Sequence, residues 1–129
     1  MVRDDGAGPA RVLIADQDPR VRAALRAFLR AHPGFDVVAE AGSSTAALTL
    51  ARECGPTVAL VDVSQLDKGE RLELVRALTG ELRIPVVAIG FEGRVRAGAL
   101  EAGAFRFLDK GSVSELLLPA LEQAADHVA

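Results

Sequence analysis

The chain has 129 residues, half of them apolar, which is enough for one compact core and too few for two typical domains. Fifteen Lys and Arg stand against eighteen Asp and Glu for a net charge of −3, which excludes the positive field that binding a nucleic-acid backbone requires. No run of about 18 apolar residues is present to span a bilayer, residues 1–10 (MVRDDGAGPA) lack the apolar stretch of a signal peptide, and the single Cys54 allows neither an internal disulfide nor a multi-cysteine metal site. A cytoplasmic protein without membrane contact is expected.

Residues 1–9 read as a disordered tail from their Gly, Pro and Asp content, and residues 10–129 as one domain. Within the domain, short apolar runs alternate with segments of helical spacing, the signature of a parallel sheet covered by helices on both faces. The runs are RVLIA (11–15), FDVVA (35–39), TVALV (57–61), IPVVAI (84–89) and AFRFL (104–108). The first helix opens on Asp18 as N-cap and Pro19 at the first helical position, lines one face with Val21, Leu25 and Phe28, and stops at His32-Pro33-Gly34. The second starts at Ser43 or Ser44 and ends before Gly55-Pro56; the third groups Leu74, Val75 and Leu78 and ends before Thr79-Gly80. A fourth, within residues 92–102, holds Gly93 and Gly98 and should be short or mobile. The fifth opens on Ser112-Val113-Ser114-Glu115, a capping box, and carries Pro119, from which a kink near Leu118 is expected.

Five βα units imply a doubly wound α/β sandwich of the flavodoxin-like kind with strand order 2-1-3-4-5, whose ligand site lies beyond the carboxyl ends of strands one and three. Asp16 follows strand one, Asp62 follows strand three and Lys110 closely follows strand five, so two carboxylates and an ammonium should converge on one rim. Any one of these alone would be an ordinary charged strand end. Arg22, Arg26 and Arg30 form a basic row at i, i+4, i+8 on the first helix, either a docking face or a solvated one. His32 and His127 stand apart from the acids and from each other, which gives no metal-ligand pattern.

From Arg11 onward the sequence resembles the receiver domains of two-component response regulators, through VLIADQDPRVRAALRAFL, DVVAEAGSSTAAL, VALVDV and LEAGAFRFLDK, and its Val-Val-Ala-Glu-Ala phrase is most similar to the NarL/LuxR-type subgroup. The resemblance implies that Asp62 is the phosphoacceptor, that Asp16 and Asp62 hold Mg²⁺, that Lys110 contacts the phosphoryl oxygens and that Phe107 occupies the aromatic switch position. It also implies docking on the first helix, with Arg22 and Arg26 as candidates, a sensor histidine kinase or another protein as partner, and a homodimer through the fourth and fifth helices. DNA would be reached only through an output domain outside these 129 residues.

The sequence departs from the family at several points. Gln17 replaces the usual second acid, which should weaken Mg²⁺ binding. Gly90 replaces a hydroxyl residue and offers no side chain to a phosphoryl oxygen, and residues 64–69 replace the family's Met-Pro-Gly turn. The expected function is therefore signalling by protein contact from a degenerate aspartyl-phosphate pocket, with weak or phosphorylation-independent regulation of transcription and no enzymatic turnover. A fully competent Mg²⁺-dependent receiver is one alternative. A small haloacid-dehalogenase-like phosphatase is another, since Asp16-Gln17-Asp18 also spells that family's Asp-x-Asp.

Overall fold

The computed structural model describes residues 8–64, 68–91 and 94–127; most of the expected tail, and residues 65–67 of the turn after strand three, lie outside them. Five parallel strands, β1 (Ala10–Ala15), β2 (Phe35–Ala41), β3 (Val58–Asp62), β4 (Val86–Gly90) and β5 (Arg106–Asp109), pair in the order β2-β1-β3-β4-β5. Helices α1 (Pro19–Arg30), α2 (Ser44–Cys54), α3 (Lys68–Arg76), α4 (Arg94–Glu101) and α5 (Val113–Ala125) connect and cover them. None of the described helices is long and apolar enough to cross a membrane.

Alternation along the strands divides the core into two layers. Leu13 and Ala15 of β1 face α2, α3 and α4, where they meet Leu74, Val75, Leu78 and Ala99. Val12 and Ile14 face α1 and α5, where they meet Leu25, Leu29, Leu117 and Leu121. β3 is buried along its whole length because helices cover both faces of the sheet, which is why its sequence is an unbroken apolar run until Asp62.

Helix ends follow their caps. The Asp18 carboxylate accepts the Arg20 N–H at 2.9 Å, and the Ser43 hydroxyl accepts the Ala46 N–H at 3.1 Å. Gly55 closes α2 with φ 58°, a left-handed conformation that glycine adopts without steric cost. Two expected boundaries need correction. The third helix does not stop before Thr79 but runs on as a π-turn over Ala77–Glu81, where the Thr79 hydroxyl donates back to the Val75 carbonyl at 2.9 Å and widens the turn. The capping box at Ser112 does not form. Asp109 instead accepts the Gly111 N–H at 2.7 Å and starts a 3₁₀ turn, Lys110–Ser112, that leads into α5 one turn early. α5 continues past Pro119 to Ala125, and α4 is described over eight residues that include Gly98, while Gly93 lies outside the described residues.

Candidate functional site: an acid rim at the carboxyl edge of the sheet

Strand order reverses between β1 and β3, and there the structure brings together Asp16, Asp62 and Lys110. Both acids are 1% exposed. Asp16 is tied in by its backbone N–H to the Ala41 carbonyl at 3.0 Å, while its Oδ1 accepts the Asp18 N–H at 2.9 Å. Asp62 ends β3 opposite Ile89, and its Oδ2 lies 2.8 Å from Lys110 Nζ as an ion pair whose alignment falls short of a hydrogen bond. The other oxygen, Oδ1, accepts both the N–H and the hydroxyl of Ser64, at 2.8 and 2.7 Å.

This arrangement separates the two carboxyls electrostatically. Burial and the neighbouring Asp62 carboxyl push Asp16 from 3.8 up to about 6, with the Asp18 N–H and the Lys110 charge pulling the other way. Burial also works against the Asp62 carboxylate, but Lys110, the Ser64 hydroxyl, Asp16 and the Ser64 N–H outweigh it and hold Asp62 below the ordinary value. Asp62 therefore ionises first, and below about pH 6 it is the charged member of the pair. No donor among the described residues reaches Asp16 Oδ2, so one buried carboxylate oxygen is left facing the site.

That orphaned oxygen fits a divalent cation, and Asp16 and Asp62 are the side chains that would hold it. The donor set is thin: among the described residues no three of His, Cys, Asp and Glu come together, and Gln17 is exposed. Asp18 is engaged as the cap of α1.

Phe107 is buried at 5% exposure, on the sheet face covered by α2, α3 and α4. A side chain at Gly90 would find this corner taken, because its Cβ would lie 3.3 Å from Phe107 and Val95 and 3.4 Å from Ser64. The space in front of Gly90 is thus taken up by its neighbours. Arg22 and Arg26 are not free-standing charges. Arg26 Nη1 meets Glu40 at 2.6 Å, and Arg22 donates to the Asp16 carbonyl at 2.7 Å with Glu40 3.9 Å away, which ties α1 to β2 and to the rim.

Sequence reasoning passed over three contributors. Ser64 was legible as a serine two residues beyond an aspartate, the spacing of a side-chain-to-backbone turn. Arg22 was legible as basic but not as the donor to Asp16. Phe91, 63% exposed with Lys110 Nζ 5.3 Å from its ring centroid, follows the strand end without any pattern to announce it.

The chain matches the response regulator receiver domain family over residues 12–122. It is similar to a putative transcriptional regulator of Pseudomonas aeruginosa, 31% identical over 92% of this chain and 58% of that protein. It is also similar to the nitrate/nitrite response regulator protein NarP of Escherichia coli, 32% identical over 92% of this chain and 56% of that protein. The chain thus spans a little over half the length of these two relatives. A solved two-component response regulator of the LuxR family from Aurantimonas sp. superposes with a TM-score of 0.81 at 27% identity, covering 91% of this chain and 85% of that one. The chain belongs to the response regulator receiver domain family, and regulators of the NarL and LuxR kind are among its relatives.

Proposed function

We propose that this receiver accepts a phosphoryl group on Asp62 slowly, through a weakened pocket, and signals by protein contact to control transcription. The observation that carries the reading is the Lys110 ammonium 2.8 Å from Oδ2 of a fully buried, ionised Asp62. Oδ2 is the nucleophile, since Oδ1 is held by two donors from Ser64 and becomes the carbonyl oxygen of the mixed anhydride. Oδ2 attacks phosphorus, the bond from phosphorus to the donor's leaving group breaks, and the leaving group departs with the electron pair. Lys110 passes from the carboxylate to the phosphoryl oxygens, neutralising the charge that builds there. A bound Mg²⁺ would supply further screening between carboxylate and phosphoryl group. With Gln17 in place of an acid that screening is weak, and with Gly90 there is no hydroxyl to register the phosphoryl group.

The phosphodonor in this reading is a sensor histidine kinase in the cytoplasm. DNA is addressed through an output domain, as the LuxR-family relatives suggest, and the receiver itself turns over no substrate. A homodimer or protein contact through α4 and α5 is supported by exposed Leu100 and Leu116 and by a groove of about 480 Å³ lined by Arg96, Arg106, Phe107, Leu116 and Pro119.

The test is intact-mass detection of the phospho-form after incubation with acetyl phosphate and millimolar Mg²⁺, with Asp62→Asn as control. Slow, incomplete labelling is expected, with roughly a tenfold gain on Gln17→Asp, equivalent to about 1.4 kcal/mol in barrier. Rapid stoichiometric labelling of the unaltered chain would show the pocket to be fully competent. Labelling of neither form would remove Asp62 as acceptor.

A further inference from the structure

Arg71 is 4% exposed, in a chain whose other described arginines are half-buried or exposed. It sits on α3 with Leu74 and Val75 at i+3 and i+4, followed by Leu78 in the π-turn, all at most 1% exposed, so Arg71 lies on the stripe of the helix that faces the sheet. Exposed Glu73 and Arg76 mark the opposite side. Helical side chains lean toward their own N-terminus, and α3 begins on the side of the sheet where β3 ends in Asp62. Arg71 therefore belongs to the part of α3 nearest the carboxyl edge of the sheet.

Its Nη1 is buried with no hydrogen-bond partner among the described residues, and no ion pair is found for it there. A buried guanidinium nitrogen without an acceptor is costly, and an anion is the group that would complete it. The company it keeps points the same way. The buried side-chain atoms without a hydrogen-bond partner belong to Asp16, Asp62, Ser44 and Arg71. The first two form the rim, Ser44 opens α2 just after β2 ends, and Arg71 lies in the first turns of α3, so all four stand at the carboxyl edge of one sheet.

We infer that Arg71 is a built-in receptor for an oxyanion at the carboxyl edge of the sheet, supplying a fixed positive charge where the acid set for a divalent ion is thin. Guanidinium matches phosphate oxygens with paired donors and stays charged when buried, which an ammonium does less well. The oxyanion is either the phosphoryl group on Asp62 or a free phosphate-bearing ligand, and the first source rests on the acceptor role proposed above.

Thermal unfolding and intact mass together distinguish the sources, using the unaltered chain, Arg71→Met, Arg71→Lys and Asp62→Asn. Without anion, Arg71→Met should melt at or above the temperature of the unaltered chain, because it removes an unpaired charge. A fall of more than about 5 °C would show that the guanidinium is already satisfied, and would overturn the inference. For a free anion, inorganic phosphate at about ten times its Kd should raise the melting temperature by about 4–6 °C in the unaltered chain and in Asp62→Asn, not in Arg71→Met, with partial rescue in Arg71→Lys. For the covalent source, phosphate alone does nothing, acetyl phosphate raises the melting temperature of the labelled chain, and Arg71→Met labelled to the same mass shows no rise. A response to phosphate that needs Arg71, without labelling of Asp62, would remove the phosphoacceptor reading and keep this one. Labelling whose stabilisation is the same with and without the guanidinium would do the reverse. Neither labelling nor a phosphate response would overturn both.

Discussion

The proposed acceptor corner and the proposed switch corner of this receiver differ in what the structure does around them. At the proposed acceptor corner, around Asp16, Asp62 and Lys110, Gln17 supplies no charge, yet the three charged groups converge, with Lys110 2.8 Å from Asp62. At the switch corner a single side chain is missing, at Gly90, and Phe107, Val95 and Ser64 crowd the space it would need. A lost charge leaves a gap in the electrostatics that water or a neighbouring cation can fill. A lost side chain in a close-packed corner is filled by its neighbours, and the vacancy does not stay open. Restoring chemistry and restoring coupling should therefore behave as separate problems.

The largest expected effect is at the acceptor corner. Lys110→Met leaves a buried carboxylate without its cation and should cost about 3–5 kcal/mol at pH 7 in urea unfolding. The Asp62 carboxyl is held below its ordinary value, so stability from the pair is present above about pH 4 and fades as the pH falls through the folded value. The variant should lose that acid dependence. Unchanged stability would mean that Asp62 is not the charged member of the pair.

Asp16 has the opposite sign. Its carboxyl is raised from 3.8 to about 6, so the folded state holds a proton that the unfolded state has released, and stability falls as the pH climbs through that interval. Asp16→Asn should flatten this slope and gain up to ~3 kcal/mol at pH 7, while weakening Mg²⁺ binding. A slope that survives the substitution would locate the titration elsewhere.

At the switch corner, Gly90→Thr should destabilise by about 1–3 kcal/mol, because the new side chain meets Phe107 and Val95 at contact distances already tight for Cβ alone. Neutral stability would show that Phe107 has a second place to go, and that coupling can be restored by one hydroxyl. The smallest effect is expected for Ser64→Ala, which removes the 2.7 Å hydroxyl bond to Asp62 and should cost about 1 kcal/mol with a modest upward move of the Asp62 carboxyl in an NMR titration. No movement would assign the hold on Oδ1 to the Ser64 backbone N–H alone.

The sequence by itself determined the order of elements, the parallel topology and the placement of Asp16, Asp62 and Lys110 on one rim. Those follow from local signals: hydrophobic period, caps such as Asp18 and Ser43, and the rule that sites form where strand order reverses. Only the tertiary structure decided which buried groups are paired. Arg22 read as a candidate docking charge and proved to hold the Asp16 carbonyl, while Arg71, which no sequence pattern singled out, lies buried. Periodicity tells which face a residue occupies, but a charge's partner is set by chain segments far away in sequence. Lys110 reaches Asp62 across 48 positions, and whether Gly90 is a gap or a filled corner depends on Phe107 from another strand. Pair distances and packed volume are properties of the folded arrangement, and no local pattern encodes them.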